Sequence, residues 1–214
     1  IVAASKKPDT SIFEGVVEMD ENGVIAVNEF IQTSDPDIYA IGGSTTIHYN
    51  PTGKDIYKPQ PTEAVCQAVI VAQNINGGQV KDSGTQLSMS LNLDGTYMAS
   101  LGLTFERAEE AGFNADVVTI EDNYRPEFMP TTTPVLMTLI WYKDTQRILG
   151  AQMMSKHDIS QSANLVSVCI QNRNSIDFLT YVDTLFQPNF DRPFNYVNLL
   201  AQAAVAKEDK KESK

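Results

Sequence analysis

Two apolar runs between residues 134 and 155 constrain the fold more than any other feature of the sequence. They are "PVLMTLIWY" and "RILGAQMMS", separated by the polar turn Lys143-Asp144-Thr145-Gln146. Apolar runs of this length around a turn predict two adjacent antiparallel strands. The first run is so continuously apolar that both faces of its strand need cover. We therefore expect a sheet on which other elements pack.

The segments around these runs predict the rest of one domain, residues 81–204. An alternating stretch followed by Asp94-Gly95 predicts a hairpin with one buried face, formed by Leu87, Met89, Leu91 and Leu93. Thr104 and Gly112 bound a short helix, and "ADVVTIED" predicts another strand. A longer helix from Asp158 carries one apolar stripe, made of Ile159, Ala163, Val166, Cys169 and Ile170. The prediction is an α+β fold, an antiparallel sheet with helices on one face.

Residues 1–80 predict a different organisation. Asn22-Gly23 indicates a hairpin in "GVVEMDENGVIAV", and "DIYAIGG" predicts a short buried strand. A helix follows, capped by Thr62 and ended by Asn76-Gly77. Its expected buried stripe comprises Ala64, Val65, Ala68, Val69, Ala72 and Ile75.

Composition excludes several classes of partner. The formal net charge is −11, which repels nucleic acid and anionic lipid. No apolar run reaches the roughly 18 to 20 residues that span a bilayer, and the first residues do not resemble a signal peptide. We therefore expect a cytoplasmic protein without nucleic acid or membrane partners. Cys66 and Cys169 have no nearby cysteine, which predicts buried structural thiols.

The two ends of the chain carry separate expectations. "IVAAS" at the start resembles the end of an apolar strand and has no initiator Met, so we expect a fragment. Residues 205–214 are predicted to be a charged tail with nothing to bury.

One junction resembles a known family. "VNEFIQTSDPDIYAIGG" followed by "STTIHYNP" is similar to the second flavin-binding segment of the pyridine nucleotide-disulfide oxidoreductase superfamily, T-x-x-P-x-I-Y-A-x-G-D. The NADH oxidase and NADH peroxidase branch is the most similar. "KPDTSIFEG", "RILGAQMMSK" and "YVDTLFQPNFDRPFN" resemble further segments of that branch in the same order.

The resemblance implies the C-terminal half of an FAD-dependent enzyme. Residues 1–80 would be the C-terminal remnant of an FAD-binding Rossmann-like domain, and residues 81–204 a dimerisation domain that makes a homodimer. The family's G-x-G-x-x-G turn, NADH unit, redox cysteine and active-site histidine have no counterpart in this sequence. NADH would bind through the missing N-terminal half. His48 and His157 are expected to be ordinary surface residues.

The resemblance also assigns cofactor-binding positions and shows departures at them. The implied flavin contacts are Gly42, Gly43, Ser44, Gln60, Pro61, Thr62 and, from the partner subunit, Phe186. Gly43 stands where the family has an aspartate that binds the ribityl chain. Gln60 and Pro61 replace small or apolar residues, and Val65 replaces a common arginine. We expect the change at Gly43 to weaken flavin binding by about one to two orders of magnitude.

Two functions remain open. In the first, the chain supplies a flavin wall and the dimer interface of an NADH oxidase or peroxidase, with no catalytic residue of its own. In the second, it is a degenerate dimerisation scaffold that binds no flavin, and "YAIGGSTT" is a strand and a glycine turn without a ligand. The aromatic residues of "LFQPNFDRPFN" meet either a partner chain or this chain's own sheet.

Overall fold

The computed structural model describes residues 8–212, except for the side chains of residues 211 and 212. The chain divides into two compact units, Ile1–Thr85 and Gln86–Lys214. The apolar strand end predicted at the start of the chain lies outside the described residues, as do the last two residues of the predicted tail.

The second unit is built on a five-stranded antiparallel sheet. Its strands are β3 (Met89–Leu93), β4 (Thr96–Gly102), β5 (Ala115–Asn123), β6 (Pro134–Tyr142) and β7 (Ile148–Ser155). Their order across the sheet is β3-β4-β7-β6-β5. The two apolar runs are the neighbouring strands β6 and β7, with Thr138 opposite Gln152. This confirms the predicted α+β fold with an antiparallel sheet.

Four helices complete this unit: α2 (Phe105–Glu110), α3 (Ser160–Gln171), α4 (Ile176–Tyr181) and α5 (Tyr196–Glu212). The Thr104 hydroxyl accepts a hydrogen bond from the Arg107 N–H and caps α2, as predicted. The predicted stripe of α3 is buried, including Val166 and Cys169. Met137 and Trp141 of β6 are fully buried in the core that α3 and α5 complete.

The apolar face of the β3–β4 hairpin was predicted to be buried, and this was wrong for the described residues. Met89, Leu91 and Leu93 are more than half exposed. Leu91 pairs with Met98, and Met98 pairs with Met154, which is also exposed. Side chains alternate between the two faces of a sheet. These exposed residues therefore lie on one face, and their buried chain neighbours Ala99 and Met153 lie on the other. The alternation was real, but α3 and α5 cover only the other face.

The predicted charged tail is instead the end of helix α5, which continues to Glu212. Lys207 donates to the Asp116 carboxylate at 2.8 Å and to the Val117 carbonyl at 2.6 Å. The Trp141 indole N–H donates to the Glu208 carboxylate at 3.2 Å. The prediction failed because these charged side chains have partners on the sheet, which local composition does not reveal.

The first unit has less regular structure. Its elements are β1 (Ile47–Tyr49), β2 (Lys54–Ile56), α1 (Pro61–Ile75) and two short 3-10 turns, Ser11–Phe13 and Gly42–Ser44. The predicted hairpin is reduced to one bridge between Met19 and Ile25, and the predicted strand at "DIYAIGG" to a bridge from Tyr39 to Gln32. Ile25 also forms a bridge with Thr45. Isolated bridges from Ile25 to two partners therefore replace the continuous hydrogen-bond ladder of the predicted hairpin.

Helix α1 forms where predicted, but the predicted buried face was wrong. Val65, Val69 and Ile75 are more than half exposed, whereas Gln67 and Asn74 are buried. Asn74 donates to the carbonyls of Phe30 and Val80 at 3.1 and 2.9 Å. The inner face of α1 meets loop backbone, whose polar groups require polar partners. Among residues 8–212, none of the helices combines the length and the apolar character that a membrane span requires.

Candidate functional site

The candidate site lies in the first unit, where the Gly42–Ser44 turn packs against the start of α1. Gly42 has a φ of +77°, and a Cβ added there would lie 3.3 Å from the Ala64 Cβ. Its carbonyl accepts hydrogen bonds from the Thr45 N–H at 3.2 Å and from the Thr45 hydroxyl at 3.0 Å. A left-handed conformation against a neighbouring helix requires glycine at position 42.

Helix α1 begins at Pro61, with Gln60 as its N-cap residue. The prediction that Thr62 caps the helix was wrong, because Pro61 occupies the first helical position, where its fixed φ is favourable. The first N–H groups of a helix have no partner within it. Pro61 has no N–H, so Thr62 and Glu63 carry the donors of this first turn that can face a ligand.

Gln67, which no sequence motif singled out, joins the turn to the helix. It is 1% exposed, and its Oε1 accepts a hydrogen bond from the Gly42 N–H at 2.7 Å. Its Nε2 has no hydrogen-bond partner in the described structure. The available signal was its spacing of seven residues from Asn74, which places two amides on one helix face.

Glu63 is the acidic residue in the first turn of α1. The pKa of its carboxyl group is raised, mainly by burial. A hydrogen bond with the Thr85 side chain partly offsets this rise, and the nearby Asp82 adds to it. The side chain of Glu63 is therefore engaged with the loop that ends the first unit.

The residues at this junction fit a flavin as hydrogen-bond donors but lack the acidic acceptor. Backbone N–H groups at a turn and at a helix start suit the oxygen atoms of such a group. Gly43 has no positive φ, and a Cβ there would lie 3.5 Å from the Pro59 Cβ, an ordinary contact. The backbone at position 43 therefore admits a side chain, and its missing carboxylate is a chemical rather than a steric departure.

Phe186 was the seventh predicted site residue, and it lies in the second unit, in the loop before α5. We call residues 185–194 the aromatic segment. Its large apolar side chains are exposed, namely Leu185 at 89%, Phe186 at 52%, Phe190 at 72% and Phe194 at 51%. Tyr196, the next aromatic residue along the chain, is instead buried, and its hydroxyl shares a hydrogen bond of 2.5 Å with the Ser162 hydroxyl.

The two thiols and the two imidazoles have surroundings different from those of the Gly42–Ser44 turn. Cys169 is buried, and burial raises its pKa to about 11. Cys66 is exposed, so the expectation that both thiols are buried was wrong for it, because it lies on the outer face of α1.

His48 pairs with Asp55 at 2.9 Å, and His157 stacks on Tyr124. Burial lowers the pKa of His157. The described residues contain no cluster of three potential metal ligands.

Comparison with known families and relatives gives a consistent result. Residues 1–72 match the family pyridine nucleotide-disulphide oxidoreductase, and residues 95–196 match the dimerisation domain of the same family. The chain is 47% identical to an NADH oxidase of Enterococcus faecalis, covering 96% of this chain and 46% of the relative. It is 36% identical to an NADH oxidase of Streptococcus pyogenes, covering 95% and 45%. The chain thus spans about half the length of these relatives.

A solved structure agrees with the sequence comparisons. The water-forming NADH oxidase from Lactobacillus brevis, bound to NADH, superposes with a TM-score of 0.93 at 53% identity. The match covers 96% of this chain and 46% of that one. Two matches to one family in chain order, with relatives and a fold that agree, show that this chain belongs to the pyridine nucleotide-disulphide oxidoreductase family.

Proposed function

We propose that this chain supplies one wall of the flavin site and the dimerisation region of an FAD-dependent NADH oxidase. In the intact protein, electrons would pass from NADH to oxygen or peroxide. The observation that carries the proposal is the packing of the Gly42–Ser44 turn against the start of α1, with Gln67 fixing the Gly42 N–H. Identity to NADH oxidases along most of the chain supports it.

The roles of individual residues follow from the chemistry of the junction. FAD, when bound, supplies the redox chemistry. The N–H groups of Thr62 and Gly43 are proposed to hold it, with Ser44, Gln60 and Pro61 forming the surrounding wall. None of the twelve glycines falls into G-x-G-x-x-G, so NADH is proposed to bind through other parts of the intact protein.

The second candidate is a dimerisation scaffold that binds no flavin. It is favoured by one observation, the absence of a carboxylate at Gly43. A hydrogen bond to a charged group contributes about 1.5 to 3 kcal/mol, so its loss weakens flavin binding substantially.

Flavin titration of the intact protein that contains this chain separates these candidates, because the chain alone supplies only one wall of the flavin site. Gly43→Asp restores a carboxylate at a backbone position that admits a side chain, and we expect it to tighten FAD binding by about tenfold or more. Gly43→Asn has the same size without the charge and should leave the affinity near that of the unmutated chain. If the intact protein binds no FAD either with Gly43 or with Gly43→Asp, as judged by flavin fluorescence, the scaffold is the better description.

We also propose that the chain forms a homodimer through the aromatic segment. Exposed apolar side chains of this size are stabilised by burial against a partner. Light scattering should then give a mass near twice 23.6 kDa, and Phe186→Ala with Phe190→Ala should shift it towards the monomer. Phe128→Ala is the matched control, since Phe128 is 78% exposed in the same unit but outside the segment. A monomeric unmutated chain would exclude the homodimer.

A further inference from the structure

The two ends of the aromatic segment meet at one buried amide, Asn198 in the first turn of α5. We propose that Asn198 is a positioning residue, which holds the segment in the shape that meets a second copy of this chain. The proposal rests on the homodimer proposed above and adds the part of the molecule that orders its contact surface.

The side chain of Asn198 is 2% exposed and uses its full hydrogen-bonding capacity. Its Oδ1 accepts hydrogen bonds from the Asn195 N–H at 3.0 Å and the Thr184 hydroxyl at 3.3 Å. Its Nδ2 donates to the carbonyls of Leu179 and Val182 at 2.9 and 3.1 Å. No shorter or apolar side chain satisfies these four groups.

These contacts fix both ends of the loop. Thr184 immediately precedes the aromatic segment, and Asn195 immediately follows it. Leu179 lies in α4, and Val182 is the C-cap residue of that helix. The Oδ1 atom of Asn198 therefore joins the two ends of the loop, and its Nδ2 atom ties them to the end of α4. Loss of this amide would release the loop at both ends.

Polar contacts also hold the middle of the segment. The Asp191 carboxylate accepts hydrogen bonds from the Arg192 N–H at 2.7 Å and from the Asn195 side chain. The Arg192 guanidinium binds both oxygens of Asp122 at 3.0 and 3.1 Å. Arg125 donates to the Asn189 carbonyl at 3.1 Å.

The result is an ordered backbone that exposes apolar side chains. Association normally costs free energy for ordering side chains and loops at the interface. A loop that is already fixed in the monomer avoids most of that cost. A second copy is the occupant because the whole segment lies within residues 95–196, which match a dimerisation domain.

Asn198→Ser tests the proposal, with Asn74→Ser as a matched control. Asn74 is a buried asparagine whose Nδ2 also binds two carbonyls, but it lies in the first unit. We expect Asn198→Ser to increase the rate of chymotrypsin cleavage after Phe186 and Phe190 by about tenfold and to raise the dimer dissociation constant by about tenfold. Asn74→Ser should change neither. Sedimentation velocity over a dilution series measures the dissociation constant.

Thr184→Val is a milder variant, because it removes one hydrogen bond to Asn198 and keeps the shape of the side chain. It should change both quantities in the same direction by about fivefold or less. Unchanged cleavage in Asn198→Ser would overturn the positioning role alone. Faster cleavage with an unchanged dissociation constant would show that the order of the loop does not serve association, which also overturns the proposal. A chain that stays monomeric at every concentration would instead refute the homodimer, and with it the purpose given to Asn198.

Discussion

Gly42 and Gly43 are adjacent in the candidate site, but the structure places different demands on them. Gly42 has a positive φ and contacts α1, whereas Gly43 has neither constraint. An L-residue in the left-handed conformation costs roughly 1 to 2 kcal/mol. The first glycine therefore shapes the turn, and the second leaves room for a group that this chain lacks.

Alanine substitutions should separate the two roles. Gly42→Ala should lower the free energy of unfolding of the first unit by about 1 to 2 kcal/mol, because of its positive φ and the contact with Ala64. Gly43→Ala should change it by less than about 0.5 kcal/mol. Urea denaturation followed by far-UV circular dichroism measures both. Equal losses in the two variants would contradict the assignment of the turn geometry to Gly42.

The two thiols should differ in reactivity. Cys169 is buried, and its pKa is raised to about 11, so it remains a protonated, inaccessible thiol at pH 8. Cys66 is exposed. Ellman's reagent at pH 8 should therefore label one thiol in the native chain and two in urea. Cys66→Ser should abolish the native signal, and a signal that persists in this variant would contradict the burial of Cys169.

At the scale of elements, the sequence predicted structure well where a periodic pattern and its packing partner lie in the same unit. Strands β6 and β7 and helix α3 supply each other's cover, so their apolar patterns identified the conformation of all three and the buried face of α3. Strand β6 was predicted to need cover on both faces, but Leu136 and Thr138 on its second face are only half-buried. Helix α1 shows the limit of such patterns. Its periodicity predicted a helix, but its apolar face is exposed, and Gln67 and Asn74 face inward. Periodicity identifies which residues share one face of a helix, but it does not show whether that face packs against apolar side chains, polar backbone or solvent.

The candidate site shows the same limit. A resemblance of short motifs located Gly42, Gly43 and the start of α1, which the structure brings together. Gln67 carries no motif, and its one signal in the sequence is its spacing of seven residues from Asn74, although its hydrogen bond fixes the Gly42 N–H. The end of α5 was also missed, because Lys207 and Glu208 find partners about 90 and 70 residues earlier in the chain.

Helix α5 yields a prediction at this scale. Asp116 is 8% exposed, and Lys207 supplies its cation at 2.8 Å. Lys207→Met should lower the free energy of unfolding of the second unit by about 1 to 2 kcal/mol, less than for a fully buried pair because Lys207 is partly exposed. Lys210→Met, one turn later at an exposed position, should have little effect. Equal effects would show that the contact with Asp116 does not anchor the helix.

At the scale of the whole molecule, the two units differ in the cores that they contain. The buried apolar residues of the first unit, among those described, are Val17, Val24, Ile25, Ile31, Ile47 and Tyr49. In the second unit, strand β6 alone buries five, namely Val135, Met137, Leu139, Ile140 and Trp141. Burial of apolar surface is the dominant favourable contribution to folding, so we expect the first unit to be the less stable one.

The single tryptophan makes this difference measurable. Trp141 is fully buried in the second unit, so its fluorescence reports on that unit, whereas far-UV circular dichroism also reports on α1. In urea, ellipticity should begin to fall at a lower concentration than the fluorescence changes. Gly42→Ala should move only the early transition, and Leu139→Ala, which removes a buried side chain at a cost of about 2 to 5 kcal/mol, should move the late one. Coincident transitions, shifted together by both substitutions, would show that the two units unfold as one cooperative structure.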